Sequence, residues 1–434
     1  MDNITNTVKK IDLFGLNYSL SSKKINYCDK IPKSRKLTPG ILFGIIRFIF
    51  SLINSAIKRI GTKSDVDLAA VVFFAGSLNQ NNAVYPIYYK CEDASIIGTG
   101  GFGEFQLNIF ISRILSIRYI TTLIKIYRKT QGYKKKSLKY LFDRYLSTYG
   151  FYLYMLRFFK KHSHIKVLVL ANDHTMRCRV LNETAQLMGI KTIYIQHASV
   201  NEHFPPLAFD YACLDGNEAS STYKTLKNTK TKIFVTGNAN IENNLLKYSD
   251  KKDHLIGLCF NPIDEKDIIL ETIIRLKEEF GNENIYVRPH PNDRKFKYFK
   301  KYCKNNSIKF SSAKKQNIFE YFQNLDLLIA GESNIHLEAV ASNIPTIYFR
   351  LGRYKNEDWY GFIKKGLIRY IATNMTELIE KITIIKNTEE IQVDNLVSGF
   401  YQNTVSGNRS SIDDIISVIN LAKKNERTDV ESNA

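Results

Sequence analysis

The sequence predicts an α/β fold in two halves, each a parallel sheet flanked by helices. Three observations carry this. Short runs rich in Ile, Leu, Val and Tyr recur, at 68–75, 166–171, 191–195, 209–214 and 232–235, and again at 255–260, 285–287, 325–330 and 344–349. Each is too short for a helix and mostly apolar, which is the pattern of a strand buried on both faces. Segments of helical period separate them, as at 175–188 and 264–280. Polar and charged residues cluster just past the runs, where α/β sheets bind ligands.

Length and composition agree. A chain of 434 residues suits two domains, and 44% hydrophobic with 12% aromatic residues suits a folded one. Lys and Arg exceed Asp and Glu by 62 − 42 = 20, which points to an anionic partner. The six cysteines form no C-x-x-C pair, so neither a disulfide framework nor a zinc site is expected. The first residues lack the charged start and apolar core of a secretory signal.

Residues 1–64 form a basic N-terminal segment with an amphipathic helix expected at 41–60. Gly44, Arg47, Ser51, Asn54, Ser55 and Lys58 make one polar stripe on it, and Arg47 inside the run disfavours a membrane-spanning helix. Two readings follow: a helix lying in an anionic membrane surface, or one packed on the protein's own core. Lys33, Arg35, Lys36, Lys58, Arg59 and Lys63 favour the membrane surface.

The first domain is expected over 65–240. Gly98 to Gly103 matches G-x-G-x-x-G, but no acidic residue follows in 118–125, so it reads as a flexible glycine loop near a cleft and not a dinucleotide site. Residues 107–160 read as basic, aromatic helices without a nucleic-acid signature, and no nucleic-acid partner is expected. A β-α-β unit follows at 166–195, its helix stopped by Gly189. Asn172-Asp173-His174, Gln196-His197-Ala198 and Asp215-Gly216 sit at strand ends. Residues 238–254 read as a polar linker. The second domain is expected over 250–390, a terminal helical segment capped by Ser410 or Ser411 over 391–424, and a disordered tail over 425–434.

The second domain holds the strongest signal. A strand ends in Arg288-Pro289-His290-Pro291, and another leads through Gly331-Glu332-Ser333-Asn334 into a helix. Arg offers a bidentate fork, His a hydrogen bond or proton, and a helix start its backbone N–H groups, all suited to phosphate. His336 is expected to pack on the helix. Arg350, Arg353 and residues 359–362 are expected in a loop after the last strand.

Together these describe two Rossmann-like domains facing across a cleft. Residues 68–385 resemble a GT-B glycosyltransferase of bacterial capsule or O-antigen assembly. Arg288-Pro289-His290-Pro291 is similar to the R-x-H-P motif of capsule polymerases, bacterial sialyltransferases and glycerophosphotransferases. Ser333-Asn334 stands where those families carry a hydroxyl pair, and Tyr194-Ile195-Gln196-His197-Ala198 resembles their Q-H-G stretch. The resemblance implies a nucleotide-activated donor in the second domain. Arg288, His290, Ser333 and Asn334 would contact its phosphates, and Glu338 its ribose. His290 would assist the leaving group, and His197, Asp173 or Asp215 would supply the acceptor base. The implied reaction is metal-independent, uses no cofactor beyond the nucleotide-sugar substrate, and glycosylates a lipid-linked oligosaccharide from the cytoplasmic face of the membrane. Three alternatives remain: a CDP-polyol phosphotransferase of the same fold, a nucleotide-sugar 2-epimerase, and a non-catalytic basic membrane- or nucleic-acid-binding protein.

Overall fold

The computed structural model describes residues 2–24, 31, 33–58, 67–226, 230–247, 253–313, 315–353, 358–387, 399–401 and 410–424. The N-terminal segment holds α1 (Asp2–Lys9), α2 (Leu13–Leu16), α3 (Tyr18–Ser21), α4 (Lys33–Leu37) and α5 (Ile41–Lys58). The first half begins with β1 (Val71–Ala75), α6 (Leu78–Lys90), β2 (Ala94–Gly98) and β3 (Phe105–Gln106). A helical excursion follows, α7 (Ile109–Ser116), α8 (Ile120–Lys129) and α9 (Gly132–Lys161). Then come β4 (Val167–Leu170), α10 (Met176–Leu187), β5 (Lys191–Ile195), β6 (Tyr211–Leu214), α11 (Asn217–Leu226), β7 (Lys232–Val235) and α12 (Ala239–Lys247).

The second half opens with β8 (Leu255–Phe260), α13 (Lys266–Phe280), β9 (Ile285–Pro289), α14 (Phe296–Asn305) and β10 (Lys309–Phe310). It continues with α15 (Ile318–Phe322), β11 (Leu325–Ala330), α16 (Ile335–Ala341), β12 (Thr346–Phe349), β13 (Tyr370–Ala372) and α17 (Met375–Lys386). A last described helix, α18 (Ser411–Lys424), ends the chain's described part.

The strands form two sheets, a seven-stranded one in the order β3-β2-β1-β4-β5-β6-β7 and a six-stranded one in the order β10-β9-β8-β11-β12-β13. Every pairing is parallel. The architecture is the two-domain GT-B type that the sequence predicts. The central strands are buried along their length, as continuous apolar runs require.

α18 does not stay with the second half. Its Ile412, Ile415, Val418 and Ile419 pack on Val167, Val169, Ile193 and Cys213 of the first sheet. Ser410 caps it, its Oγ accepting the Asp413 N–H at 3.1 Å. The chain therefore passes between the halves twice, after α12 and after α17.

Several expectations need correction. The presumed linker at 238–254 contains α12, whose Glu242 is buried and accepts the Ser411 N–H at 2.8 Å. The Gly98–Gly103 loop is a packed turn: a Cβ on Gly98 would lie 1.8 Å from Phe102 O, and Gln106 Nε2 donates to Gly103 O at 2.9 Å. Arg350 does not follow the last strand, because β13 adds one beyond it, at Tyr348↔Ile371. The tail at 425–434 lies outside the described residues.

α5 is turned opposite to a soluble amphipathic helix. Gly44, Arg47 and Ser55 of its small and polar stripe face inward beside Phe48, while Asn54 is exposed. Gly44 packs so closely on α9 that a Cβ there would sit 2.5 Å from Phe142 Cβ. Arg47 Nη1 donates to Thr38 O at 2.8 Å, and its Nε lies 3.5 Å from Asp143 Oδ1. Arg35 grips the same carboxylate with two bonds of 2.8 and 2.9 Å. The apolar face points outward, with Leu42, Phe43, Ile46, Ile49, Phe50, Ile53 and Ile57 all exposed. Among the described residues, no helix is long and apolar enough to cross a membrane.

Candidate active site

Strand order reverses between β1 and β4 in the first sheet and between β8 and β11 in the second. Open α/β sheets bind ligands at the carboxyl ends flanking such a reversal. Those tips are Ser77 and Asn172–His174 in the first half, and Asn261 and Gly331–Ser333 in the second. His290 ends the strand next to β8.

In the first half, Asn172 builds the tip of β4. Its Oδ1 accepts the N–H groups of His174 and Thr175 at 3.1 and 2.7 Å, which turns the chain into α10. Asp173 is buried and both of its oxygens are engaged. Oδ1 lies 2.9 Å from His174 Nδ1, and Oδ2 accepts the Tyr223 hydroxyl at 2.7 Å. Asp173 is thus held as an orienting group. The carboxylate fixes the proton on His174 Nδ1, leaving the lone pair on Nε2, which has only Asn172 Nδ2 at 3.5 Å. His174 is half-exposed and backed by Phe204, edge-on at 5.1 Å. An acid–imidazole pair of this form suits a general base.

His197 stands near this pair. Its Nδ1 is buried without a hydrogen-bond partner. Burial pushes its pKa down to about 4, the neighbouring His174 adds to that, and Asp173 opposes it. The ring is neutral at physiological pH. Gln196 braces the loop, its Nε2 donating to Ala198 O at 3.1 Å and its Oε1 accepting the Asp215 N–H at 3.0 Å.

Asp215 lies apart in character. Burial pushes its carboxyl up to about 8, against a hydrogen bond from Asn238 Nδ2 at 3.0 Å. The neighbouring Gly216 is pressed under the returning chain, and a Cβ there would be 2.5 Å from Gly399 O. Asp215 is mainly protonated at neutral pH and sits beneath the crossover.

In the second half, Arg288 is buried and turned under the sheet. Its Nη1 donates to Ser311 Oγ, its Nη2 to Gln316 O at 3.0 Å, and the guanidinium stands 5.3 Å from the Tyr321 ring centre. A phosphate would meet this residue only through its remaining N–H groups. His290 is exposed. Its Nδ1 accepts the Asn292 N–H at 3.2 Å, so the neutral ring carries its proton on Nε2 and presents a donor. The ring is exposed on one side only, and its partial desolvation lowers its pKa, with Asp293 opposing.

Ser333 Oγ accepts the Ile335 N–H at 3.3 Å, just before α16, whose N-cap position is Asn334. Asn334 Oδ1 reaches the first half, accepting the Ser199 N–H at 3.2 Å. His336 is buried, with Nε2 3.0 Å from Gly331 O. Glu338 follows on α16; burial pushes its carboxyl up to about 7, and the Arg288 charge opposes that.

Sequence reading passed over a latch across the cleft. Glu332 accepts N–H groups from Asp358 and Trp359, the latter at 2.9 Å, and the Tyr348 hydroxyl at 3.0 Å. This holds the 358–362 loop over the first half. There the Trp359 ring packs tilted against His203 with ring centres 4.4 Å apart, and its carbonyl accepts from Asn201 Nδ2 at 3.2 Å. In the sequence the lone Trp and the strand-end Glu332 stand 27 positions apart, and nothing there pairs them.

No family model matches the sequence, and no curated protein matches it. Solved structures do match the fold. The UDP-GlcNAc 2-epimerase of Methanocaldococcus jannaschii is 17% identical over 81% of this chain and 99% of that one, with a TM-score of 0.53. MnaA of S. aureus, solved with UDP, is 13% identical over 81% of this chain and 96% of that one, at 0.51. The UDP-GlcNAc 2-epimerase of Neisseria meningitidis, bound to UDP-GlcNAc, is 11% identical over 81% and 98%, also at 0.51. At these identities the likeness establishes the two-domain fold.

Proposed function

We propose that this chain is a metal-independent glycosyltransferase that moves a sugar from a nucleotide-activated donor to a lipid-linked acceptor at the inner face of a membrane. One observation carries the reading: the Ser199–Asn334 hydrogen bond of 3.2 Å, which sets the His174–His197 loops against the tip that bears Ser333. In this reading the second half holds the donor. His290 donates from Nε2 to the departing diphosphate, Ser333 and Asn334 contact phosphate oxygens, and Glu338 accepts from the ribose hydroxyls. His174 Nε2 takes the acceptor hydroxyl's proton as the new glycosidic bond forms and the bond to the nucleotide breaks. Asp173 steadies the imidazolium that results, and neutral His197 lines the same wall. Arg288 shapes the donor floor and stabilises the Glu338 carboxylate.

The fold likeness favours a second reading, a nucleotide-sugar 2-epimerase, because it spans 99% of the M. jannaschii enzyme. Purified protein given labelled nucleotide sugars, with and without a lipid extract, separates the two. The transferase reading expects free nucleotide and labelled lipid only when the extract is present. Formation of an epimer without it, with solvent deuterium at the epimerised carbon, overturns the transferase reading.

A further inference from the structure

We infer that the outward face of α5, continued by α7, is a docking surface that seats the protein on an anionic phospholipid bilayer. This deepens the membrane element of the proposed function but stands on separate observations. On α5 the exposed apolar residues follow the helical repeat, and Leu42, Phe50, Ile53 and Ile57 are 68%, 64%, 51% and 62% exposed. Leu37, just before the helix, is 80% exposed. Ile111, Ile114 and Ile117 of the α7 region are exposed too. The two helices pack side by side, joined where Arg113 Nη1 donates to Ser51 O, so the exposed apolar residues of α7 lie on a neighbouring helix. Single exposed apolar side chains are ordinary, whereas a strip along a whole helix marks an interaction site.

The inward side explains why the strip is not misplaced core. Gly44 admits no side chain against Phe142, and Asp143 clamps both Arg35 and Arg47. The helix is fixed by these contacts and by Phe48, buried among core residues, with Ile41 and Ile45 packed beside it, and its remaining apolar residues are left bare. A helix of 18 residues lies about 27 Å along the surface, and no described helix can cross a bilayer. An apolar strip with basic surroundings is the form of an interfacial helix.

Charge selects the occupant. Lys139 and Arg144 on α9, which packs on α5, are exposed, as are Lys36 just before α5 and Arg118 just after α7, and the whole chain carries +20. The charges that act on Arg113 are Arg177 and Arg144, both positive. A second copy would bring the same positive rim and be repelled, whereas acidic headgroups match it.

Flotation of the full chain with vesicles tests this. Wild type is expected to float with phosphatidylglycerol-containing vesicles, less with pure phosphatidylcholine, and less again at high salt. The triple variant Phe50→Asp, Ile53→Asp, Ile57→Asp is expected to lower the vesicle-bound fraction roughly a hundredfold. Its thermal midpoint should match wild type, since these side chains touch solvent. Arg144→Glu with Lys36→Glu should remove the preference for the acidic lipid. Equal flotation of wild type and the triple variant overturns the inference. So does a lipid-free dimer that the triple variant dissociates while wild type ignores vesicles, which would make the strip a self-interface. No donor or acceptor is present, so failure of the transferase reading leaves this outcome untouched.

Discussion

Glu338 makes donor binding depend on pH with a sign that can be worked out. Burial raises its carboxyl to about 7 while Arg288 opposes. Ionised, it can accept from both ribose hydroxyls, whereas the protonated acid turns one oxygen into a donor. At about pH 6 roughly one molecule in ten carries the carboxylate, and at about pH 8 roughly nine in ten. Affinity for a nucleotide sugar should therefore rise about tenfold between those values, about 1.4 kcal/mol, provided the bound carboxyl stays ionised throughout. The diphosphate of a nucleotide sugar is fully esterified and adds no titration of its own there. His290 works the other way: its lowered pKa means it charges only on the acid side, where a cation would strengthen phosphate binding. Calorimetry across the range, repeated in buffers of different ionisation enthalpy, should show up to one proton released on binding near the acid end. Glu338→Gln should flatten the rise and leave at most a weak opposite slope. A wild-type affinity that falls with pH, or a Gln variant that keeps the rise, refutes the carboxylate's role.

Other expectations follow from the same geometry. His174→Ala should lower kcat by about 100-fold or more with little change in donor affinity, and Asp173→Asn should lower kcat and shift the acid limb of the kcat–pH profile. His290→Ala should cost kcat on the order of 100-fold, read in single-turnover assays. Asp215, raised from 3.8 to about 8, favours folding below its unfolded value and loses that contribution as pH rises through 8. Asp215→Asn should thus have the higher Tm at about pH 9, with the advantage absent at about pH 4. Gly150→Ala puts a Cβ 1.9 Å from Ser112 O, where α7 crosses α9. It should lower stability by about 1–3 kcal/mol in urea melts.

The fold was legible because its central strands are buried on both faces and write unbroken apolar runs. The edge strands were not. β3 and β10 are two residues each, and β13 is only partly buried, so neither length nor apolarity marks them. α12 was hidden for another reason. Glu242 and Asn244 look like surface residues, yet both are buried by partners, and one of those, Ser411, comes from far along the chain. The polar stripe on α5 was visible, but not its direction, because Asp143 lies in a different helix. At the site, tip positions could be read from strand ends. Which neighbour turns outward could not: Asp173 and His174 are adjacent, and only Tyr223, arriving from α11, fixes Asp173 inward. Arg288 is likewise claimed by Ser311 and Gln316, whose nearness depends on β10 lying beside β9.

The double passage of the chain restricts how the cleft can work. Two bodies joined by one strand of chain can swivel, slide and part. Here they are suspended at two points, after α12 and after α17, with α18 seated on the first sheet by Ile415 and Ile419. Any relative movement of the halves would have to be accommodated at both connections at once, and the Trp359–His203 contact, 4.4 Å between ring centres, is one that such movement would break.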